Sequence, residues 1–397
     1  MTPTQIAMTD LALEHVLRQI EAEPPESVRE RAHSAFDNIA DPFREQLVLF
    51  GAGPLGRAVL AGLRRAGVEP LAFADNNQEL WGTEVSGLNV LAPHDAAKIY
   101  AEIACFVVTI YQGSSARHQL AALRCQRIAP FAALLWKYAD IFVPQSGIEL
   151  PHRLVKHRDA IRSCYAALAD DLSKRELCEQ LRWRYWLDYA ALSPPSDARD
   201  TYFPMDLLSS CDDEVFVDCG GFDGDTIRSF NEHWASRFRH AFTFEPDPSN
   251  RAALAANVEQ MGLTPRVTIM PYAVGNVSGP ISFANTSSAA SHVTTADRGI
   301  RIDCRRLDDI DWPLAPTYIK MDIESAEPEA LAGAAETLRR QNPVLAVCTY
   351  HRSEHLWQIP NLIRSIAPSY NVFLRRYAEE CWEGVCYAIS NERLKRE

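Results

Sequence analysis

The chain lacks any Cys-x2-Cys pair and any Cys/His cluster at zinc spacing, although it carries ten cysteines in 397 residues. Cys381 and Cys386 come closest, in a stretch that reads as strand, so the thiols read as reduced core residues of a cytoplasmic protein. No run approaches the roughly 18 consecutive apolar residues of a membrane span. The first ten residues show no basic segment followed by an apolar run, so no signal peptide is expected. Basic excess is missing too: 40 Lys and Arg stand against 52 Asp and Glu, a formal net charge of −12. That argues against nucleic acid as the main partner, because phosphate contacts need a basic surface. No clear octahedral cluster of oxygen ligands can be read, so no metal is expected. Internal repeats and low-complexity segments are absent. What remains is an ordinary globular composition, 47% hydrophobic and 23% charged. The length suggests two or three domains. Self-association is left open.

Residues 1–45 read as helices broken at Pro24-Pro25. An α/β pattern follows over 46–150, with strands expected at 46–50, 70–74 and 105–110. Residues 151–200 lack glycine up to the Ser193-Pro194-Pro195 break and read as a helical linker. Its aromatic face, Trp183, Tyr185, Trp186 and Tyr189, suits packing between domains, with a second role as roof of a substrate pocket. Over 201–397 strands are expected at 214–218, 240–244, 266–272, 317–321, 343–348, 371–376 and 384–389. The last two have no helix between them and suggest an antiparallel edge hairpin. Residues 276–299 read as a loop with one short strand. The fold class is therefore α/β, two Rossmann-like doubly wound domains joined by a helical segment.

The densest chemistry lies at the start of the last domain. A short apolar strand ends in Asp218, and the turn Cys219-Gly220-Gly221-Phe222-Asp223-Gly224-Asp225-Thr226 opens a helix. A second apolar strand ends in Glu245-Pro246-Asp247. Doubly wound sheets hold adenosyl ligands at such strand ends. The glycine spacing differs from Gly-x-Gly-x2-Gly, which brings a pyrophosphate to a helix N-terminus. A ligand without phosphate fits better, and S-adenosylmethionine (SAM) is one. Its ammonium and sulfonium groups favour Asp218 and Asp223, and Glu245 is placed to accept from both ribose hydroxyls. Gly220, Gly221, Gly224, Thr226 and Pro246 complete the expected cofactor cradle. Ser287 and Ser288 are candidates for the adenine side.

Further on, Tyr318–Met321 is an apolar strand broken only by Lys320, with Asp322 at its carboxyl end. Asp322 is a candidate for either the cofactor ammonium or the acceptor. Glu324 and Glu327 open the next helix, where capping is the ordinary role of a carboxylate. His351 follows the strand Val344–Cys348 and should project at the same edge. A neutral histidine is the usual general base near neutral pH, so His351 is the first candidate to take an acceptor proton, ahead of His355 and His292. The catalytic candidates are thus His351 and Asp322.

Several of these segments together resemble the FkbM family of methyltransferases. They are Val217-Asp218-Cys219-Gly220-Gly221-Phe222-Asp223-Gly224-Asp225-Thr226, Phe244-Glu245-Pro246-Asp247, Ile319-Lys320-Met321-Asp322-Ile323-Glu324-Ser325-Ala326-Glu327 and Tyr350-His351, with Tyr202-Phe203-Pro204 as a weaker lead-in. The resemblance covers roughly 200–390. It implies a class I SAM-dependent fold and methyl transfer to a hydroxyl of a sugar, glycan precursor or secondary metabolite. A catalytic role for Glu324 is implied only by this resemblance. One departure stands out: the family usually has Gly after Ile-Glu, where this chain has Ser325.

The N-terminal turn is a separate motif. Gly51, Gly53 and Gly56 follow a strand and open a helix, and Asp75 comes nineteen residues after the last. The run Ala74-Asp75-Asn76-Asn77, with Trp81-Gly82 and Gly87-Leu88-Asn89-Val90, resembles the nucleotide-sugar-binding domain of bacterial sugar acetyltransferases. A nucleotide or nucleotide-sugar site, a degenerate scaffold and a nicotinamide site all remain open there. The rival functions are accordingly an NAD-dependent oxidoreductase, or a binding protein that keeps SAM or a nucleotide sugar without turnover.

Overall fold

The computed structural model describes residues 3–144, 147–209, 211–284, 292–293 and 300–395. The chain divides into two compact units. One comprises Met1–Arg158, Cys178–Pro194 and Ala378–Trp382, the other Asp159–Leu177, Pro195–Tyr377 and Glu383–Glu397. Residues 151–200 are therefore not a linker of their own. Trp183 and Tyr185, 1% and 0% exposed, are fixed by burial in the first unit, where Tyr185 Oη donates to the Ile20 carbonyl at 3.2 Å. Cys164, from the same expected linker, lies in the second unit and points its thiol at the Leu356 carbonyl.

The first unit holds a six-stranded sheet in the order Glu84–Val85, Leu88–Leu91, Ala72–Ala74, Leu47–Phe50, Cys105–Val108, Arg127–Pro130. All its pairings are parallel except the short hairpin of the first two. Alternation explains why Leu47–Phe50 reads as unbroken apolar sequence. Leu47 and Leu49 enter one core cluster, Val48 and Phe50 the other, so both faces are covered. The strands Leu88–Leu91 and Arg127–Pro130 were not expected; each is short and carries polar residues. The helices at Pro3–Ala22 and Pro25–Ala40 flank the Pro24-Pro25 break as the sequence indicates.

The second unit is built on a seven-stranded sheet. Its order is Asn371–Arg376, Gly384–Ile389, Val344–Cys348, Tyr318–Met321, Val215–Cys219, His240–Phe244, Val267–Met270. Gly384–Ile389 runs antiparallel to both neighbours, which confirms the expected edge hairpin. The strand order reverses at Val215–Cys219, flanked by Tyr318–Met321 on one side and His240–Phe244 on the other. A crevice opens at such a switch point, at the carboxyl ends of the strands. Beneath the sheet, Phe216 stacks on Phe230 at 4.4 Å between centroids and Phe203 packs edge-on to Phe216, which anchors the first strand and the helix after it. The stretch 276–299, expected as a loop with one short strand, contributes two strands to a small four-stranded sheet, Gly279–Ala284, which pairs antiparallel with Ile300–Arg305, and His292–Val293.

Candidate functional site

At the switch point a pocket of about 270 Å³ is walled by the turn after Val215–Cys219, the end of His240–Phe244, the segment after Tyr318–Met321, and Tyr202, Tyr272, Tyr350 and Glu383. Gly220, Thr226, Glu245, Pro246, Asp322 and Glu324, all expected at the site, line it. The turn owes its shape to its glycines. Gly220 has φ +90°, and a Cβ there would lie 2.0 Å from the Asp322 carbonyl oxygen. At Gly221 a Cβ would meet Thr243 Oγ1 at 2.2 Å. The first glycine thus lets the turn close on the neighbouring strand end, and the second packs it down.

Asp218 is placed differently from the expectation. It is 0% exposed and does not line the pocket. Parallel register sets it beside Lys320, whose Nζ lies 3.0 Å from Asp218 Oδ1 and donates to the Gly220 carbonyl at 2.8 Å. Burial pushes the Asp218 carboxyl up to about 6, against the pull of Lys320, so both partners are charged at neutral pH. The pair braces the turn from behind. Asp223 and Gly224 also stay off the lining: Asp223 accepts from the Asp225 amide through its carboxylate and from Asn257 through its carbonyl.

Glu245 is 5% exposed at the pocket wall. Its two oxygens accept from the amides of Phe222 (2.9 Å) and Asp247 (2.7 Å), which fixes the carboxylate across the mouth of the turn. Each oxygen keeps a second lone pair for a ligand hydroxyl. Burial raises its pKa to about 7, with the two amides working the other way.

Beyond Tyr318–Met321 a relay runs from the pocket wall inward through four side chains. Tyr202 Oη donates to Asp322 Oδ2 at 2.7 Å, His351 Nε2 lies 3.2 Å from Asp322 Oδ1, and His351 Nδ1 lies 2.8 Å from Glu327 Oε1. Glu327 Oε1 also accepts from the Ile323 amide, so it caps as well as pairs. Burial disfavours charge on His351, but Glu327 and Asp322 outweigh it and hold the imidazolium well above its ordinary pKa. Burial would raise Asp322; His351 and the charge of Lys320 instead hold it below the usual carboxylate range. A histidine already protonated, with a carboxylate at each ring nitrogen, is not placed to accept a proton. His355 is no substitute: burial lowers it to about 4, and its Nδ1 faces the same Glu327 at 3.4 Å.

Asp322, Glu327 and His351 offer ligand atoms within 4.8 Å of one another, close enough to consider a cation. Nδ1 of His351 bonds to Glu327, whereas Nε2 lies 3.2 Å from Asp322 Oδ1 without a hydrogen bond to it. Glu324 and Ser325 have φ +54° and +86°. Ser325 therefore sits in the left-handed region that glycine prefers, at the position where the resembling family carries Gly.

Ser287 and Ser288 lie outside the described residues, and the strand His292–Val293 is described without its side chains. Trp183, Tyr185, Trp186 and Tyr189 do not line this pocket; Trp183 belongs to the core cluster of the first unit and Tyr189 packs against it. In that unit Gly51, Gly53 and Gly56 form the expected strand–turn–helix. A Cβ at Gly56 would meet the Gly51 carbonyl at 1.9 Å, so this glycine serves helix packing, whereas Gly53 faces open space. The Asp75 carboxylate accepts from the Ala52 and Asn77 amides, both at 2.7 Å, and so ties the turn to the next strand end.

The residues not anticipated at the site are Glu383, Asp225, Asn250 and Tyr272, together with the bracing role of Lys320. Two positions carried a usable signal: Asp225 lies inside the glycine-turn motif, and Glu383 stands just before Gly384 in the hairpin.

The family described as Methyltransferase FkbM domain matches residues 218–381. The chain superposes on the crystal structure of methyltransferase FkbM from Methylobacillus flagellatus KT with TM-score 0.73 and 22% identity, over 96% of this chain and 99% of that one. An rRNA methylase from Streptococcus thermophilus aligns at 9% identity and TM-score 0.31, over 49% of this chain and 91% of that one. An SAH-bound methyltransferase from Podospora anserina aligns at 13% and 0.27, over 60% and 88%. No curated protein matches. No helix among the described residues is long and apolar enough to cross a membrane. Residues 218–381 match the methyltransferase FkbM domain, under half of the chain, and the chain has the fold of a solved FkbM methyltransferase.

Proposed function

We propose that the chain is a SAM-dependent O-methyltransferase acting on a hydroxyl of a sugar, glycan precursor or secondary metabolite. The observation that carries this reading is the charge of the pocket. Asp225, Glu245, Asp322, Glu324 and Glu383 line it, and the one lining cation among the described residues, Lys320, is already held by Asp218. Such a wall favours a ligand of net positive charge and disfavours phosphates. SAM has an ammonium and a sulfonium against a single carboxylate, and it supplies an electrophilic methyl group. Glu245 is placed for the ribose hydroxyls, with Gly220, Phe222, Thr226 and Pro246 around it. Positioning of the acceptor against the methyl group then supplies much of the rate.

The test is incubation of the full chain with isotopically labelled SAM and a panel of sugars, nucleotide sugars and glycans. Mass spectrometry should find one added CH2 on a hydroxyl oxygen of an acceptor. Labelling of a nitrogen or carbon instead, or of nothing, contradicts this reading.

A further inference from the structure

Methyl transfer to an alcohol needs a group that removes the hydroxyl proton, and the relay just described offers none. Asp322 is engaged by Tyr202 and His351, and Glu245 by two amides. Asp225 accepts from the Thr226 amide, and Glu324 lies 3.9 Å from His351 Nε2. The fifth lining carboxylate is Glu383. It precedes the antiparallel strand Gly384–Ile389, and because that strand runs backwards its start lies at the carboxyl edge of its parallel neighbours. The Thr349 amide donates to the Gly384 carbonyl at 2.8 Å and pins this start beside the end of Val344–Cys348. Glu383 adopts φ +54°, a conformation rare for a residue with a side chain and found where surrounding structure enforces it. Its side chain forms part of the pocket wall, and no hydrogen bond reaches its carboxylate among the described residues.

We propose that Glu383 is the catalytic base of the methyl transfer, accepting the proton of a neutral acceptor hydroxyl. The assignment rests on the O-methyltransferase reading above. The acceptor oxygen forms a bond to the methyl carbon while the carbon–sulfur bond breaks, its electron pair remaining on sulfur as a neutral thioether. The hydroxyl proton passes to the Glu383 carboxylate and from there to solvent. The groups facing Glu383 suit the task. Burial, then Asp322, raises its pKa to about 7, with Glu324 and Asp225 adding to the rise and His351 opposing it. A base poised near the working pH is efficient, whereas Asp322 is too weak a base. Tyr202 and Tyr350 complete the wall beside it.

The experiment compares the wild type with Glu383→Gln and Glu383→Asp on the acceptor found by the labelling panel, with SAM affinity measured separately by calorimetry. Glu383→Gln should bind SAM within about twofold of wild type and lose about 100-fold or more in kcat at saturating SAM, the scale of general-base catalysis. The wild-type fall in kcat on the acid side of about 7 should vanish in Glu383→Gln. Glu383→Asp should recover part of the rate. A kcat for Glu383→Gln within about threefold of wild type overturns the assignment, given the usual size of a base effect. Loss of SAM binding in Glu383→Gln also overturns it, by placing the residue in cofactor binding. A wild type that binds SAM but methylates no hydroxyl removes both this assignment and the O-methyltransferase reading; retained methylation in Glu383→Gln removes only the base.

Discussion

Lys320→Met should destabilise the second unit by about 3–5 kcal/mol, the usual cost of removing one partner from a buried ion pair. Lys320 is 1% exposed and Asp218 0%, so the carboxylate left behind has neither water nor a counter-charge. Its remaining contact is a hydroxyl donated by Thr243 at 3.4 Å. The Gly220 carbonyl loses its donor as well. For a domain of about 200 residues each kcal/mol is worth about 2–4 °C, so the melting transition should fall by about 6–20 °C. Adding Asp218→Asn should recover much of the loss, because the uncompensated charge is then gone. Differential scanning calorimetry of the full chain reads both effects. A shift in Lys320→Met of under about 2 °C would mean that the pair does not brace the turn.

Gly220→Ala should weaken SAM binding severely. The added methyl would lie 2.0 Å from the Asp322 carbonyl oxygen and 3.0 Å from its carbon, and both atoms are backbone. Nothing there can rotate aside, and φ +90° is strained for alanine besides. Relief requires the turn and the end of Tyr318–Met321 to separate, and these are two walls of the pocket. SAM affinity should fall by about 100-fold or more, about 2.8 kcal/mol. Gly53→Ala in the first unit is the control: a Cβ there meets nothing within 4 Å, and little change in stability or SAM binding is expected.

Much of this arrangement is legible in the sequence, for identifiable reasons. Strands such as Val215–Cys219 and Val344–Cys348 are covered on both faces and read as unbroken apolar runs. The glycines of the turn mark a backbone that must pass close to a neighbour. Side-chain direction was not legible. Asp218 ends its strand like a ligand-binding carboxylate, yet register pairs it with Lys320, a residue that reads only as an interruption of an apolar strand. His351 reads as a base because its two carboxylate neighbours come from another segment, and only the fold brings Asp322 and Glu327 to it. Glu383 lies far along the chain from every glycine motif, and the reversed direction of one strand delivers it to the pocket. The split of residues 151–200 between two units was hidden for a similar reason, since helical periodicity shows that a face is buried but not against what.

Calorimetric titration of the full chain with SAM and with S-adenosylhomocysteine, in wild type and Glu245→Gln, tests the central claim most directly. Both ligands should bind the wild type, and SAM should bind more tightly as pH rises through about 7, because the ionised Glu245 is the form that accepts two hydroxyls. Glu245→Gln should weaken both ligands about tenfold or more, the worth of a hydrogen bond to a charged group. Absence of binding to the wild type, or an unchanged affinity in Glu245→Gln, would contradict a SAM site at this strand edge.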